Sequence, residues 1–238
     1  MTVIKICGLS READIAAVNE AKPDYCGFII DFPKSHRNVT AEQVRKLRTW
    51  LDASVVPVGV IVDQPVEQAA MLLNEGIVDV IQLHGREDEN YIRRLRKLLK
   101  CREEAFTDDD MVKDETGHGD TRRNAEIKDC IWKAFKIRDR KDFEDAMASS
   151  ADAVILDNGY GTGETFDWSI LEDAGVMIQE KKVFLAGGLT PDNIEAAIQR
   201  MDVWGIDISS GVETDKKKDR SKILAAVQAV RRAGGNKQ

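Results

Sequence analysis

Eight short runs rich in valine and isoleucine, each followed by a longer amphipathic or charged segment, recur along the chain and limit its fold more than any other feature. They are Val3–Cys7, Tyr25–Ile30, Val55–Val62, Val78–Leu83, Ile131–Ile137, Ala153–Leu156, Val183–Ala186 and Trp204–Ser209. Several are apolar at consecutive positions, which suits parallel strands covered on both faces. The first helix is expected near Ser10, an N-cap ahead of Ile15, Val18 and Ala21. Thr40 and Gln43 have the spacing of a capping box before Val44, Leu47 and Leu51, and Pro65 suits the first turn of the next helix. Further helices are expected around Glu87–Lys100, Arg140–Ala148, Asp167–Gln179, Pro191–Met201 and Ser221–Arg232. Eight β-then-α units in 238 residues match an α/β fold of the (β/α)8 TIM-barrel kind, as one domain over 1–238. An open doubly wound sheet shares the alternation but seldom keeps eight regular units.

One stretch breaks the rhythm. Residues 102–129 carry ten acidic and five basic side chains, a net of −5 out of −7 for the whole chain. They fall between the fourth helix and the fifth strand, hence on the N-terminal face of a barrel, and read as a solvated insertion. His118, between two glycines, reads as a loop residue. The net acidic charge disfavours general nucleic-acid binding. No secretory leader is visible and no apolar stretch approaches the roughly 20 residues that span a bilayer. The four cysteines, at 7, 26, 101 and 130, form no CxxC pair and no zinc spacing, which points to a reduced, cytoplasmic protein. With histidines only at 36, 84 and 118, no His-based metal site is expected.

In a barrel, the chemistry gathers where strands end and their loops begin. The seventh and eighth strands run into AGGLTPDN and DISSGVE, so the backbone at Gly187, Gly188, Ser209, Ser210 and Gly211 can approach an anion. Two such turns side by side point to a phosphorylated substrate. Cys7 closes the first strand and is either a small buried hydrophobe or, beside a cation, a thiolate acting as base or nucleophile. Asp157 ends the sixth strand and serves either its own loop amides or, kept protonated by apolar surroundings, as a general acid. Gly159, Gly161 and Gly163 make the loop after it flexible enough for a lid. Arg37 is either a surface residue or a two-pronged grip on a carboxylate. Asp63 and His84 also fall at the rim, where His84 is either a hydrogen-bonded structural residue or one that polarises or orients a substrate. Cys26, Cys101 and Cys130 default to packing or surface roles.

KICGLS at 5–10, FPKSHR at 32–37, VGVIVDQ at 58–64 and IQLHGRED at 81–88 together resemble the phosphoribosylanthranilate isomerase family. So do GTGETFDW at 161–168, LAGGLTPDN at 185–193 and DISSGVE at 207–213, in the family's order and across nearly the whole chain. The resemblance implies a tryptophan-biosynthetic enzyme with no metal or organic cofactor. Its reaction would be the Amadori rearrangement of N-(5′-phosphoribosyl)anthranilate to 1-(2-carboxyphenylamino)-1-deoxy-D-ribulose 5-phosphate. It implies Asp157 as general acid, Cys7 as general base, Arg37 on the anthranilate carboxylate, and Gly187, Gly188, Ser209, Ser210 and Gly211 on the phosphate. Residues 102–129 have no counterpart in compact members, GFIIDFPKS is one residue longer than usual, and Lys216–Asp219 replaces the usual GKKD. Alternatives are an isomerase of histidine biosynthesis, which would need aspartates at the ends of strands one and five, indole-glycerol-phosphate synthase, and a non-catalytic sugar-phosphate-binding barrel.

Overall fold

The computed structural model describes residues 2–99, 129–157 and 181–235. Strands β1 (Val3–Cys7), β2 (Tyr25–Ile30), β4 (Val56–Ile61), β5 (Val80–Leu83), β6 (Ile131–Lys136), β7 (Ala153–Asp157), β8 (Lys182–Ala186) and β9 (Gly205–Ile208) are all parallel. A two-residue β3 (Asn38–Val39) extends the edge of β2 outside the ring. β1 bonds to β2 on one side and to β9 on the other, and that double pairing closes the barrel, so the open-sheet alternative is excluded. Helices α1 (Glu12–Ala21), α2 (Ala41–Arg48), α3 (Val66–Asn74), α4 (Glu89–Leu98), α5 (Arg140–Ala148), α6 (Ile194–Arg200) and α7 (Arg220–Gly235) complete the described part. A short antiparallel hairpin, β10 (Glu213–Thr214) and β11 (Lys217–Lys218), stands between β9 and α7.

Each of the eight barrel strands lies within two residues of the apolar run that signalled it; no run signalled β3, β10 or β11. The Thr40–Gln43 capping box forms as expected: Thr40 Oγ1 accepts from the Gln43 amide at 3.1 Å and Gln43 Oε1 accepts from the Thr40 amide at 2.8 Å. Ser10 does not cap α1. The buried carboxylate of Asp14 accepts from the amides of Ser10 and Arg11 at 2.9 and 3.0 Å, because a carboxylate outcompetes a hydroxyl for those donors, and the helix starts at Glu12. Pro65 stands one residue ahead of α3 rather than in its first turn. The helix expected at Asp167–Gln179, the glycines at 159, 161 and 163, Cys101 and His118 lie outside the described residues. So does the 102–129 stretch apart from Asp129, whose carboxylate meets Lys182 Nζ at 2.6 Å where β8 begins, on the N-terminal face.

The two-residue period of the strands sorts side chains into an outer and an inner set. Ile4, Ile6, Cys26, Phe28, Ile30, Ile81, Leu83, Val154, Leu156, Leu185 and Ile206 face the helices in one continuous core. Inside, the N-terminal end is filled by rings: Tyr25 and Trp132 lie 4.9 Å apart, Trp132 and Phe184 4.7 Å, Phe184 and Trp204 5.0 Å. Each such pair contributes about 0.5–1.5 kcal/mol beyond the area it buries. Nearer the C-terminal end the interior turns polar, with Lys5, Gln82 and Asp207 all buried. This gradient confines chemistry to one mouth of the barrel.

Candidate active site

Val3 and Ile155 belong with the inner cluster, so two-residue alternation carries Cys7 and Asp157 to the same inner surface at the C-terminal ends of β1 and β7. Cys7 is 7 % exposed. Burial pushes its thiol above the ordinary value, and the Lys5 ammonium pulls it back without cancelling the rise. The cation that a reactive cysteine needs is therefore present, while the resting group stays a thiol at neutral pH. Asp157 Oδ2 lies 3.9 Å from His84 Nε2. The other ring nitrogen, Nδ1, lies 3.2 Å from Gln82 Nε2, so the inner face of β5 fixes the ring. Burial lowers the His84 pKa, Asp157 opposing it, and the imidazole is neutral at physiological pH. Asp63 leaves the site: it accepts from the Arg86 amide at 2.7 Å and pairs with that side chain at the exposed rim.

Arg37 is no loose surface residue. Its stem passes directly over Gly8, where no β-carbon would fit, and its Nε and Nη2 donate to the two oxygens of Glu213 at 2.6 and 2.8 Å. Lys218 Nζ donates to Glu213 Oε1 at 2.6 Å and to the Ser209 carbonyl at 2.9 Å. One carboxylate thus holds two cations. Burial alone raises the pKa of Glu213, but Arg37 and Lys218 overcome it and bring it from 4.5 to about 2. A depressed carboxylate pKa means that the stability contributed by this cluster is present at neutral pH. It should fade as pH falls from about 4.5 through about 2, which denaturant melts on wild type and Glu213→Gln would reveal as a converging difference. Sequence reading passed over Glu213, Lys218, Lys5 and Asp207.

The two glycine turns meet. Gly187 and Gly188 have φ of 88° and 64°, the left-handed region open to glycine. Gly211, in the single turn Ser210–Val212, passes so near Leu189 that a β-carbon would come within 1.8 Å of its carbonyl oxygen. Ser209 Oγ donates to the Cys7 carbonyl at 3.1 Å, tying this turn to the end of β1. Among the described residues no three His, Cys, Asp or Glu side chains group closely enough to hold a metal ion, and no helix is long and apolar enough to cross a membrane.

A closed parallel barrel with a thiol, a carboxyl group and paired glycine turns at its C-terminal mouth defines a (β/α)8 barrel built to surround a small anionic molecule. The family model described as N-(5′-phosphoribosyl)anthranilate (PRA) isomerase matches residues 4–117 and 118–229. The chain belongs to that family. It is 36 % identical over 236 residues to the N-(5′-phosphoribosyl)anthranilate isomerase of Thermoanaerobacter pseudethanolicus, covering 97 % of this chain and 98 % of the relative. The Clostridium kluyveri isomerase of the same name is 38 % identical over 232 residues, with the same coverage of both chains. The crystal structure of phosphoribosyl anthranilate isomerase from Thermotoga maritima superposes with a TM-score of 0.76 at 26 % identity, over 97 % of this chain and 99 % of that one. A phosphoribosyl anthranilate isomerase in complex with reduced 1-(o-carboxyphenylamino)-1-deoxyribulose 5-phosphate gives a TM-score of 0.74 at 25 % identity, with the same coverage.

Proposed function

We propose that this chain is the N-(5′-phosphoribosyl)anthranilate isomerase of a tryptophan pathway, working as a single barrel domain. The observation that carries the reading is the pair Cys7 and Asp157 on one inner surface at one mouth of a barrel of this family. The carboxylic acid of Asp157 protonates the furanose ring oxygen. The C1′–O bond then breaks, its electron pair staying on oxygen, and the lone pair of the anthranilate nitrogen forms a C1′=N iminium. This cation acidifies the adjacent C–H, and the Cys7 thiolate removes the C2′ proton. The released pair becomes the C1′=C2′ bond of an enolamine as the nitrogen recovers its own. Moving the 2′-hydroxyl proton to C1′ yields the ketone.

Two anchors hold the sugar between acid and base. The turns at Gly187–Gly188 and Ser209–Gly211 take the phosphate, in keeping with the phosphorylated product analogue held by the related isomerase. Arg37 takes the anthranilate carboxylate. Its Nε–Nη2 edge is turned to Glu213, so the Nη1–Nη2 edge serves the substrate, and Glu213 holds the guanidinium in orientation. Fixing both ends of a flexible sugar supplies several kcal/mol of the barrier lowering. The free thiols at Cys7 and Cys26 suit the cytoplasm.

The decisive experiment supplies phosphoribosylanthranilate to the purified protein and follows the loss of anthranilate fluorescence. No turnover by folded protein refutes the assignment. In the same assay Arg37→Ala should raise KM by about tenfold or more with kcat little changed, the pattern of lost ground-state binding. An unchanged KM would restrict Arg37 to holding Glu213.

A further inference from the structure

Two charged side chains lie inside the barrel wall with no part in the chemistry above: Lys5, fully buried, and Asp207, 8 % exposed. They sit opposite each other in register across β1 and β9, and Lys5 Nζ donates to both Asp207 oxygens at 3.0 and 2.9 Å. Relative to an apolar pair of similar volume, such an ion pair adds little stability, because both charges leave water. What it supplies is a positive charge fixed in space.

That charge stands beside the thiol. Lys5 and Cys7 are two residues apart on one strand, hence on one face. Gly27 of β2, in register with Cys7, marks where they converge: a β-carbon there would lie 2.8 Å from Cys7 Sγ and 3.1 Å from Lys5 Cε. An ammonium group has three donors; Asp207 takes two, and Cys7 is the next side chain on the same face of the strand. Other ionisable groups reach Cys7 from every side: Asp207 from β9, opposing a thiolate, Lys218 from β11 and Arg37 from the segment after β2, both favouring it, and the Cys26 thiol on β2. Lys218 and Arg37 direct their donors to Glu213, which offsets their charge. Burial alone pushes the Lys5 amine down, but Asp207 and the cysteine sulfur more than reverse this, so the amine remains charged.

We propose that Lys5, anchored by Asp207, is a positioning residue for Cys7: its buried ammonium stabilises the thiolate that takes the C2′ proton. The proposal rests on the reading of Cys7 as the base. Its test is the pH titration of the Cys7 thiolate by ultraviolet absorbance, each protein being compared with its own Cys7→Ser counterpart, beside the pH profile of kcat/KM. Lys5→Met keeps the length of the side chain. The double variant Lys5→Met/Asp207→Asn removes the stranded carboxylate as well and preserves the fold should the single variant lose it. In Lys5→Met the thiolate titration and the acidic limb of kcat/KM should move up by about one pH unit or more, and in the double variant they move up by less, because the carboxylate that opposes the thiolate is gone as well. Activity near neutral pH should fall at least about tenfold, a deficit that narrows at alkaline pH. A merely structural lysine would lower the plateau and leave the limb in place. Coincident thiolate titrations in a folded Lys5 variant and the wild type overturn the proposal. If Cys7→Ser itself turns over normally, the base assignment fails instead, while the absorbance titration still reports whether Lys5 governs the thiol.

Discussion

Cys7→Ser should lower kcat by at least about a hundredfold, the scale of a positioned base. The substitution is almost isosteric, and the pocket that receives it is defined on one side by Gly27 and on another by the Ser209–Cys7 hydrogen bond. Packing is therefore retained, and the loss is chemical: a hydroxyl beside Lys5 still holds its proton at a pH where a thiol begins to yield it. Steady-state anthranilate fluorescence on protein with an unchanged thermal melt measures the effect. Turnover near the wild-type rate would remove Cys7 from the mechanism.

Asp157→Asn should produce a loss of similar size, again at least about a hundredfold in kcat. The carboxamide matches the carboxylic acid in shape and still meets His84 across the 3.9 Å that separates the native pair, but it has no acidic proton for the ring oxygen. Ring opening then lacks its acid, and a thiolate poised at C2′ has no iminium to act on. With Asp157 and Cys7 serving successive steps, as proposed, the double variant should be scarcely slower than the worse single one. A folded Asp157→Asn protein with near-normal kcat would pass the acid role elsewhere.

The parts of the fold that local chemistry dictates were legible in the chain. Thr40 and Gln43 announce a helix start because their reciprocal bonds need only four consecutive residues, and the apolar runs announce strands because a doubly covered strand has no polar face. Cys7 and Asp157 were legible as strand-end residues and Arg37 as part of the loop after the second strand, although the sequence left each with a bland alternative. Ser10 misled, since nothing at that position reveals that Asp14 reaches back to the same amides. Lys5 and Asp207 were hidden for another reason. Each is a lone charge in an apolar strand, VIKIC and GIDI, and their meeting depends on the register between the first and last strands of the barrel, β1 and β9, which no local pattern specifies. Glu213 and Lys218 were hidden by the turn that pairs them: Asp215 and Lys216 both take positive φ, 50° and 60°, where Asn-Gly would have signalled such a hairpin.

The Lys5–Asp207 contact joins positions 202 residues apart and lies on the seam where the ring closes. Synthesis must run to β9 before β1 acquires its second neighbour, so in a nascent chain stalled anywhere earlier Lys5 lacks the carboxylate that anchors it. The charge beside Cys7 is therefore fixed at the amino terminus only once the strand that closes the ring has been made.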